Sequence, residues 1–507
     1  MIELSQYQNL TNDQGFADGQ GVSDLIKAMQ AGQITGRDTA NQGLTQEPLK
    51  AESLERTLKL LEFRMKDIKL WGAIPKLPAF NTVEEYIQLE SYGTDRGGFY
   101  NEGELSDVED STYVRRAELV KYIQVTGEVT YQAQIVRSYV DAMRKEVENK
   151  TMWVIRKVNS ALTKADADIV PQEFNGIYKQ HASIGSGERE LYSTLDEYQD
   201  SDAVIDLRGQ PLTQSILEDA AVNVDAAFGG VDSVFAPPTV ISGLVKDFFQ
   251  DQRIIMGQQG YQGTIGTNPR AIDTQFGPVA LMSDKFMRKD PSKVWNSSTP
   301  LENAAAATSV KAPNAPTVSA AAVTSADSLS KFTTAEGGLG TVYYAVSAVN
   351  RYGESALTFA PNATTAITIA NGLSVDITFA SGGGAVPATG YVVYRSLVTS
   401  ATNAQTGAVR MYPLFRVSET QRAAGYDGAS AGSVRDRNRF LPDTEEGFVT
   451  EMIDDVVSFK QLAPLSKLDL AILGMSKRFI NFLFGTPQLY TPRKLVRLLN
   501  VGRFQNP

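Results

Sequence analysis

TVEEYIQLESYGTDRGGFYNEGELSDVEDSTYVRRAELVKYIQVTGEVTYQAQIV (residues 82–136) and SYVDAMRKEVENKTMWVIRKVNSALTK (residues 138–164) decide how the rest of this chain is read. The first part holds two alternating β arms, 83–89 and 117–131, around a polar tip. Gly93, Gly97, Gly98 and Gly103 supply turns there, and Glu102, Glu104, Asp107, Glu109 and Asp110 supply negative charge. Arg115 and Arg116 stand at the base. A hairpin this long with a tip this polar has no way to bury itself, and loops of such length in compact domains usually serve a partner. The second part carries Val140, Met143, Val147, Thr151, Val154, Val158 and Leu162 at steps of three and four, uninterrupted by Gly or Pro. It predicts one helix about 40 Å long, with Asp141 and Lys145 as an (i, i+4) pair.

Outward from this stretch the chain alternates in texture. Residues 1–50 are polar and Gly-rich, a loose arm in which only 23–32 reads as helical. Residues 52–70 space Leu54, Leu58, Leu61, Met65 and Ile68 for an amphipathic helix. The two prolines in 71–79 call for extended chain. FNGIY (174–178) reads as a turn onto a short strand, and 183–212 as loop, including the glycine loop SIGSGERE. A helix over 213–228 starts at Thr213 and stops at Gly229 and Gly230. A strand at 231–236, a helix at 238–250 and a strand pair at 274–282 turning at Gly277–Pro278 complete a mixed α/β unit.

Composition shifts near residue 297 to Ala, Ser, Thr and Pro, which reads as a linker through about 328. TVYYAVSAVNRYGESALT, GYVVYRSL and VRMYPLFRVS then give short alternating strands, an all-β sandwich that closes near Asp443. Tyr343, Ala345 and Val349 are its candidate inward positions. Residues 451–501 return to apolar strands, so the β module reads as an insertion into a larger unit, and the basic tail of Arg493, Lys494, Arg497 and Arg503 reads as an ordinary solvated or interface strand.

Catalytic patterns are missing. The 507 residues include no cysteine and one histidine, His181, which sits in a polar stretch and reads as a surface residue. That excludes CxxC and HExxH sites, and no phosphate-cradling GxxxxGK[ST] occurs. The acidic tip lacks the spaced ligands of a calcium loop, so neither metal nor cofactor is expected, and no enzyme activity. The net charge of −10 carries no basic stripe for nucleic acid. No apolar run is long enough for a membrane span.

The order of these elements resembles the major capsid protein of tailed bacteriophages, the Johnson fold shared with herpesvirus shells. It looks most like the myovirus type that carries an inserted immunoglobulin or fibronectin type III-like domain. The resemblance rests on residues 74–129, on the helix 138–164 followed by FNGIY, on LTQSILEDAAVNVDAAFGGVDSVFAPP (212–238) and on residues 462–501. It implies an α+β fold made of an N-terminal arm (1–70), an extended β loop (71–135) and a peripheral domain with a spine helix (136–180). An axial domain (181–311), an inserted β-sandwich (312–440) and a return segment (441–507) follow. It implies a homo-oligomer of hexamers and pentamers in an icosahedral head, made in the bacterial host cytoplasm and ending in the virion. The shell would enclose double-stranded DNA without sequence-specific binding and meet decoration, portal and scaffold proteins. Glu102, Glu104, Asp107, Arg115 and Arg116 are the expected inter-subunit contacts. The alternative class is a tail, baseplate or adhesin-type protein that stacks sugars on Tyr352 or Tyr412 of the sandwich.

Overall fold

The computed structural model describes residues 63–93, 99–105, 108, 110–135, 141–183, 203–251, 271–290, 292–295, 310–324, 326–359, 367–398, 409–471 and 474–502. All of them belong to one unit spanning residues 62–507, and residues 1–62 of the N-terminal arm lie outside the described residues.

Of the helix expected over 52–70, residues 52–62 lie outside the described residues, and the rest is not one helix. Residues 63–69 hold only a 3-10 turn at Met65–Asp67, followed by one α turn, α1 (Leu70–Ala73). Carboxylates compete for the backbone here. Asp67 takes the amide of Arg64 at 2.9 Å, and Asp284 takes the amides of Lys69 and Leu70 at 3.0 Å each. α1 also corrects the extended reading of residues 71–73. Strand β1 (Lys76–Pro78) follows, then β2 (Val83–Ser91), β3 (Thr112–Leu119) and β4 (Lys121–Thr130). The expected second arm, 117–131, is thus two strands that part at the buried Val120.

After the short α2 (Tyr131–Ile135) comes α3 (Ala142–Lys164), the long helix. It starts later than expected because Asp141 caps it, accepting from the amides of Met143 (2.9 Å) and Arg144 (3.2 Å). Lys145 pairs with Glu148 at 2.9 Å instead. FNGIY leads into a helix, α4 (Ile177–Ser183), not a strand. Gly176 makes the close turn: its amide donates to Ala165 O at 2.8 Å, and a Cβ there would stand 2.9 Å from Ala161 O.

The axial part runs β5 (Val204–Asp206), α5 (Gln214–Ala226), β6 (Ser233–Ala236), α6 (Pro238–Asp251), β7 (Ala271–Thr274), β8 (Gly277–Ser283) and β9 (Lys293–Trp295). Thr213 caps α5 through the amide of Ile216 at 3.4 Å. Gly277 opens β8, so the hairpin turn, Gln275–Phe276, falls two residues earlier than expected. Residues 184–190 of SIGSGERE lie outside the described residues.

The module contains β10 (Thr317–Val323), β11 (Gly340–Val342), β12 (Tyr344–Asn350), β13 (Gly353–Glu354), β14 (Thr358–Phe359), β15 (Ile367–Ile369), β16 (Val375–Ala380), β17 (Gly390–Ser396), β18 (Val409–Ser418), α7 (Glu419–Ala424) and β19 (Ser433–Asp436). The chain closes with β20 (Glu445–Thr450), β21 (Val457–Asp469), β22 (Ser476–Leu489) and β23 (Leu495–Val501). β10 corrects the linker reading, because its Val318 enters the module core opposite Phe379.

Two sheets build the body. One is ordered β1-β21-β22-β4, and the other β5-β23-β20-β6-β8-β7. Each draws strands from both sides of the module in sequence, so the module interrupts a body that is already paired across it. The long helix lays Val154, Ile155, Val158 and Leu162 onto Trp71, Phe174, Phe459, Leu483 and Leu489. Trp71 meets Phe459 edge-on at 4.9 Å. At about 1.5–3 kcal/mol for each large apolar side chain buried, this stripe fixes the helix on its sheet.

The module's β10-β16-β19 sheet faces β12, β17 and β18 across a shared core of Tyr344, Val346, Ile377, Phe379, Tyr391, Val393 and Val434. The expected inward positions fall on the other face of β12. Tyr343 and Ala345 join Val392, Tyr394, Val409 and Met411 in a second cluster, against which Val349 packs. This sheet thus packs apolar side chains on both faces, and β9 from the body extends its edge beside β18.

Candidate assembly interface

Strands β2 and β3 form a two-stranded antiparallel ribbon that joins no other sheet. Its register runs from Val83 opposite Leu119 to Ser91 opposite Thr112. Along both strands burial alternates, and polarity alternates the wrong way. The half-buried face carries Glu84, Tyr86, Gln88, Val114, Arg116 and Glu118. The exposed face carries Val83, Ile87, Leu89, Tyr113 and Leu119, with Glu85 and Arg115 among them. Ile87 is 72% exposed and Tyr113 65%. A solvated ribbon places its polar side chains outward; this one presents a row of apolar side chains instead. Toward the tip Tyr92, Phe99, Leu105 and Val108 are exposed as well, Phe99 completely. Contiguous exposed apolar surface of this kind marks an interaction site.

The inner face ties the ribbon's root to the body. Tyr86 stacks edge-on against Tyr490 at 4.9 Å and donates its hydroxyl to Leu489 O at 3.0 Å. Burial pushes the Tyr86 hydroxyl up to about 12. Gln488 donates to Glu84 O at 3.2 Å, and Lys121 donates to Pro171 O at 2.6 Å. Asn175 donates to Glu118 at 3.2 Å. Burial, only partly offset by that amide and by Lys121, pushes the Glu118 carboxyl up to about 7.

The residues expected to make the contact do not gather. Glu102 and Glu104 are exposed in a tip turn where Glu104 accepts from the amide of Asn101 at 2.9 Å. Asp107 lies outside the described residues. Arg115 points outward and pairs with Glu85. Arg116 points to the opposite face, its Nε 3.4 Å from Gln88 Oε1. The apolar row was missed, although its signal was present. Val83, Ile87 and Leu89 share one parity, and Tyr113 and Leu119 share the matching one, but parity alone does not say which face meets the body.

A second hollow, a cavity of about 640 Å³, lies where the C-terminal end of α3 meets the module. Lys164, Lys289, Asp290, Arg416, Glu446 and Arg497 line it. Its cations are used internally: Arg497 pairs with Glu446 at 2.5 Å, Lys289 with Glu446 at 3.3 Å, and Arg416 with Asp290. Those two cations hold the Glu446 carboxyl far down, at about 2, against the opposing effect of burial. Arg497, read from sequence as part of a solvated or interface strand, is half-buried and ion-paired, lying over the Tyr178 ring at 4.5 Å. His181 is likewise no surface residue. It is buried, its Nε2–H donates to Leu495 O at 3.1 Å, and burial together with Arg497 pushes its pKa down to about 4. Tyr352, the proposed sugar platform, is half-buried under the Arg351 guanidinium at 4.6 Å. Among the described residues no group of three or more acidic or histidine side chains is placed to hold a metal, and no helix is long and apolar enough to cross a membrane.

A body of two sheets around one beam-like helix, with an apolar ribbon held out from it, defines a structural subunit built to be joined. The chain belongs to the family described as SU10 major capsid protein, whose model matches residues 40–300, more than half its length. It is 25% identical over 504 residues to the major capsid protein of Staphylococcus phage S25-3, covering 97% of this chain and 98% of that one. The same identity and coverage hold for the major capsid protein of Staphylococcus phage K. Among solved structures it is similar to the capsid of the cyanophage P-SCSP1u (TM-score 0.44, 9% identity, 93% of this chain and 98% of that one). It is also similar to the capsid of a native GTA particle (TM-score 0.42, 8% identity, 92% and 100%). This protein is therefore a major capsid protein of a phage and a structural component of the virion, and the tail or adhesin alternative is not favoured.

Proposed function

We propose that this chain closes an icosahedral phage head from hexamers and pentamers, with the β2–β3 ribbon strapped across a neighbouring copy. The observation that carries this is the inverted polarity of the ribbon: apolar side chains outward, polar ones inward. One sequence repeated around closed axes makes the same contact many times, so each strap can be weak while the shell is stable. In this reading the chain has the tailed-phage (Johnson) fold, with α3 as spine helix of a peripheral domain and β5, β6, β8, β20 and β23 in the axial domain. Its domains follow the expected boundaries: arm 1–70, extended loop 71–135, peripheral 136–180, axial 181–311, module 312–440 and return segment 441–507. The module is an immunoglobulin-like insertion on the outer surface. The protein works without catalysis or cofactor. Its acidic balance suits a container for DNA, since a basic wall would bind what it must let pack. Portal, scaffold and decoration proteins complete the head.

The test is deletion of residues 93–110. The expected product is a folded subunit that forms no shells by electron microscopy, where the full chain forms closed particles. A deletion product that assembles normally, or one that fails to fold, would overturn the strap.

A further inference from the structure

At its root the ribbon turns two carboxylates to the same inner face: Glu84 on β2 stands directly opposite Glu118 on β3. Their circumstances differ. Glu84 Oε1 accepts from the amides of Phe80 (2.8 Å) and Asn81 (3.1 Å) at the rim, where the chain is exposed. Glu118 faces inward, and its one hydrogen bond among the described residues comes from Asn175. The Asn175 amide is itself oriented, because its oxygen accepts from the amide of Ala167 at 3.2 Å. It therefore offers Glu118 a donor whether the carboxyl is charged or neutral. Among the described residues no cation lies within ion-pair distance of Glu118. The neighbours on every packed element fall short of neutralising it. Tyr86 on β2 is a buried phenol. Arg116, on the same face of β3, is turned to Gln88. Lys121 on β4 is committed to Pro171 O. In the turn after α3, Glu173 is paired with Lys157 at 3.0 Å. From the end of β22 come the uncharged Gln488 and, just beyond it, Tyr490.

We propose that Glu118 is a proton-linked latch that seats the ribbon's root on the body, so that the arm is held when the carboxyl is neutral and released as it ionises. Packed against the body with the Asn175 amide as its hydrogen-bond donor, the Glu118 carboxylate is poorly solvated only while the root is seated. Swinging the ribbon away returns Glu118 to water and to its ordinary range. The seated state therefore binds the proton more tightly, and the sign follows by linkage. Seating is strongest below the ordinary value of 4.5 and weakens as pH rises toward about 7. Across that window the seated-to-free ratio falls by at most about tenfold per pH unit. Above it the ratio is constant, and the arm is at its most mobile. The consequence rests on the strap reading: a subunit made near neutral pH carries an arm free to find its neighbour.

The experiment uses the full-length chain kept unassembled by dilution. The Glu118 side-chain carboxyl is followed by carbon-13 NMR. Hydrogen exchange of the Tyr86 to Leu89 amides is measured from pH 4.5 to 8, corrected for intrinsic exchange. The expected result is a carboxyl midpoint near 7 and protection that falls as pH rises to that midpoint. Glu118→Gln, neutral at every pH and of the same shape, is expected to keep its protection flat. A midpoint near 4.5, or identical profiles for the wild type and Glu118→Gln, overturns the latch. Particle formation by both proteins is scored separately. A titrating root in a chain whose assembly ignores the ribbon keeps the latch and removes the strap; ribbon-dependent assembly with no titrating root does the reverse.

Discussion

Asn159 on the long helix donates its side-chain amide to Asp284 Oδ2 at 2.8 Å, and both side chains are completely buried. The same Asp284 oxygen accepts from the amides of Lys69 and Leu70, and its other oxygen takes Phe286 N at 2.8 Å. Asn159 Oδ1 in turn accepts from Trp71 N at 2.8 Å. Two side chains thus stitch three segments far apart in sequence: the entry at 69–71, the beam α3 and the end of β8. Asp284→Ala would leave four donors without this acceptor, two of them (Leu70 N and the Asn159 amide) buried. At about 1–3 kcal/mol for each unsatisfied buried group, the subunit is expected to lose about 3 kcal/mol or more. Denaturant unfolding of the unassembled chain measures it, and a loss under about 1 kcal/mol would contradict the stitch.

The outward row of the ribbon gives a contrasting prediction. Ile87 touches water in the isolated subunit, so Ile87→Glu should change its stability by no more than about 0.5 kcal/mol. Assembly should suffer strongly, because a charge would enter the apolar contact with the neighbouring copy. Sedimentation of assembly reactions reads the second effect and thermal unfolding the first. A variant that assembles like the wild type would remove Ile87 from the contact.

Glycine in the central strands supplies a third. A Cβ on Gly485 would stand 2.4 Å from Lys460 O, a backbone atom of the paired strand, and 2.4 Å from the Phe459 ring. Gly485→Ala should therefore cost about 2–3 kcal/mol through forced strand separation. Gly383→Ala, at a module turn with open space around it, should cost no more than about 0.5 kcal/mol. Paired unfolding curves decide, and equal losses would show that the close approach at Gly485 is relieved by small shifts.

What the sequence made legible follows from range. Periodicity is local, so the stripe on α3 and the strands β12, β17 and β18 could be read directly. The Thr213 cap could be read because its partner amide is three residues away. The errors share one cause: the deciding partner is distant in sequence. The described end of the expected helix over 52–70 is broken in part because Asp284, more than two hundred residues on, takes the amides of Lys69 and Leu70. His181 was read as a surface residue, and Arg497 as part of a solvated or interface strand, because their partners, Leu495 O and Glu446, come from strands that pack beside them only in the fold. The Ala-rich β10 looked like a linker because its pairing partner, β16, lies beyond several other strands. For the ribbon, sequence supplied the alternation and the exposed length. The direction of its apolar face needed Tyr86 seated on Tyr490.

The buried histidine supplies the last prediction. His181 has an ordinary pKa of 6.5, lowered in the fold to about 4 by burial and by the Arg497 guanidinium. The folded chain thus refuses a proton that the unfolded chain accepts. The stability from neutral His181 is fully present above pH 6.5 and is lost as pH falls toward 4, by at most about 3 kcal/mol over that window. Glu118 works in the opposite direction over a similar range, so the wild-type curve alone does not isolate the histidine. The quantity to measure is the stability of the wild type minus that of His181→Gln, whose amide can still donate to Leu495 O but does not titrate. That difference is expected to shrink steadily on acidification from pH 6.5 to 4. A difference that stays level across the window would mean that His181 takes up its proton in the folded chain, with Leu495 O and water carrying the charge that Arg497 opposes.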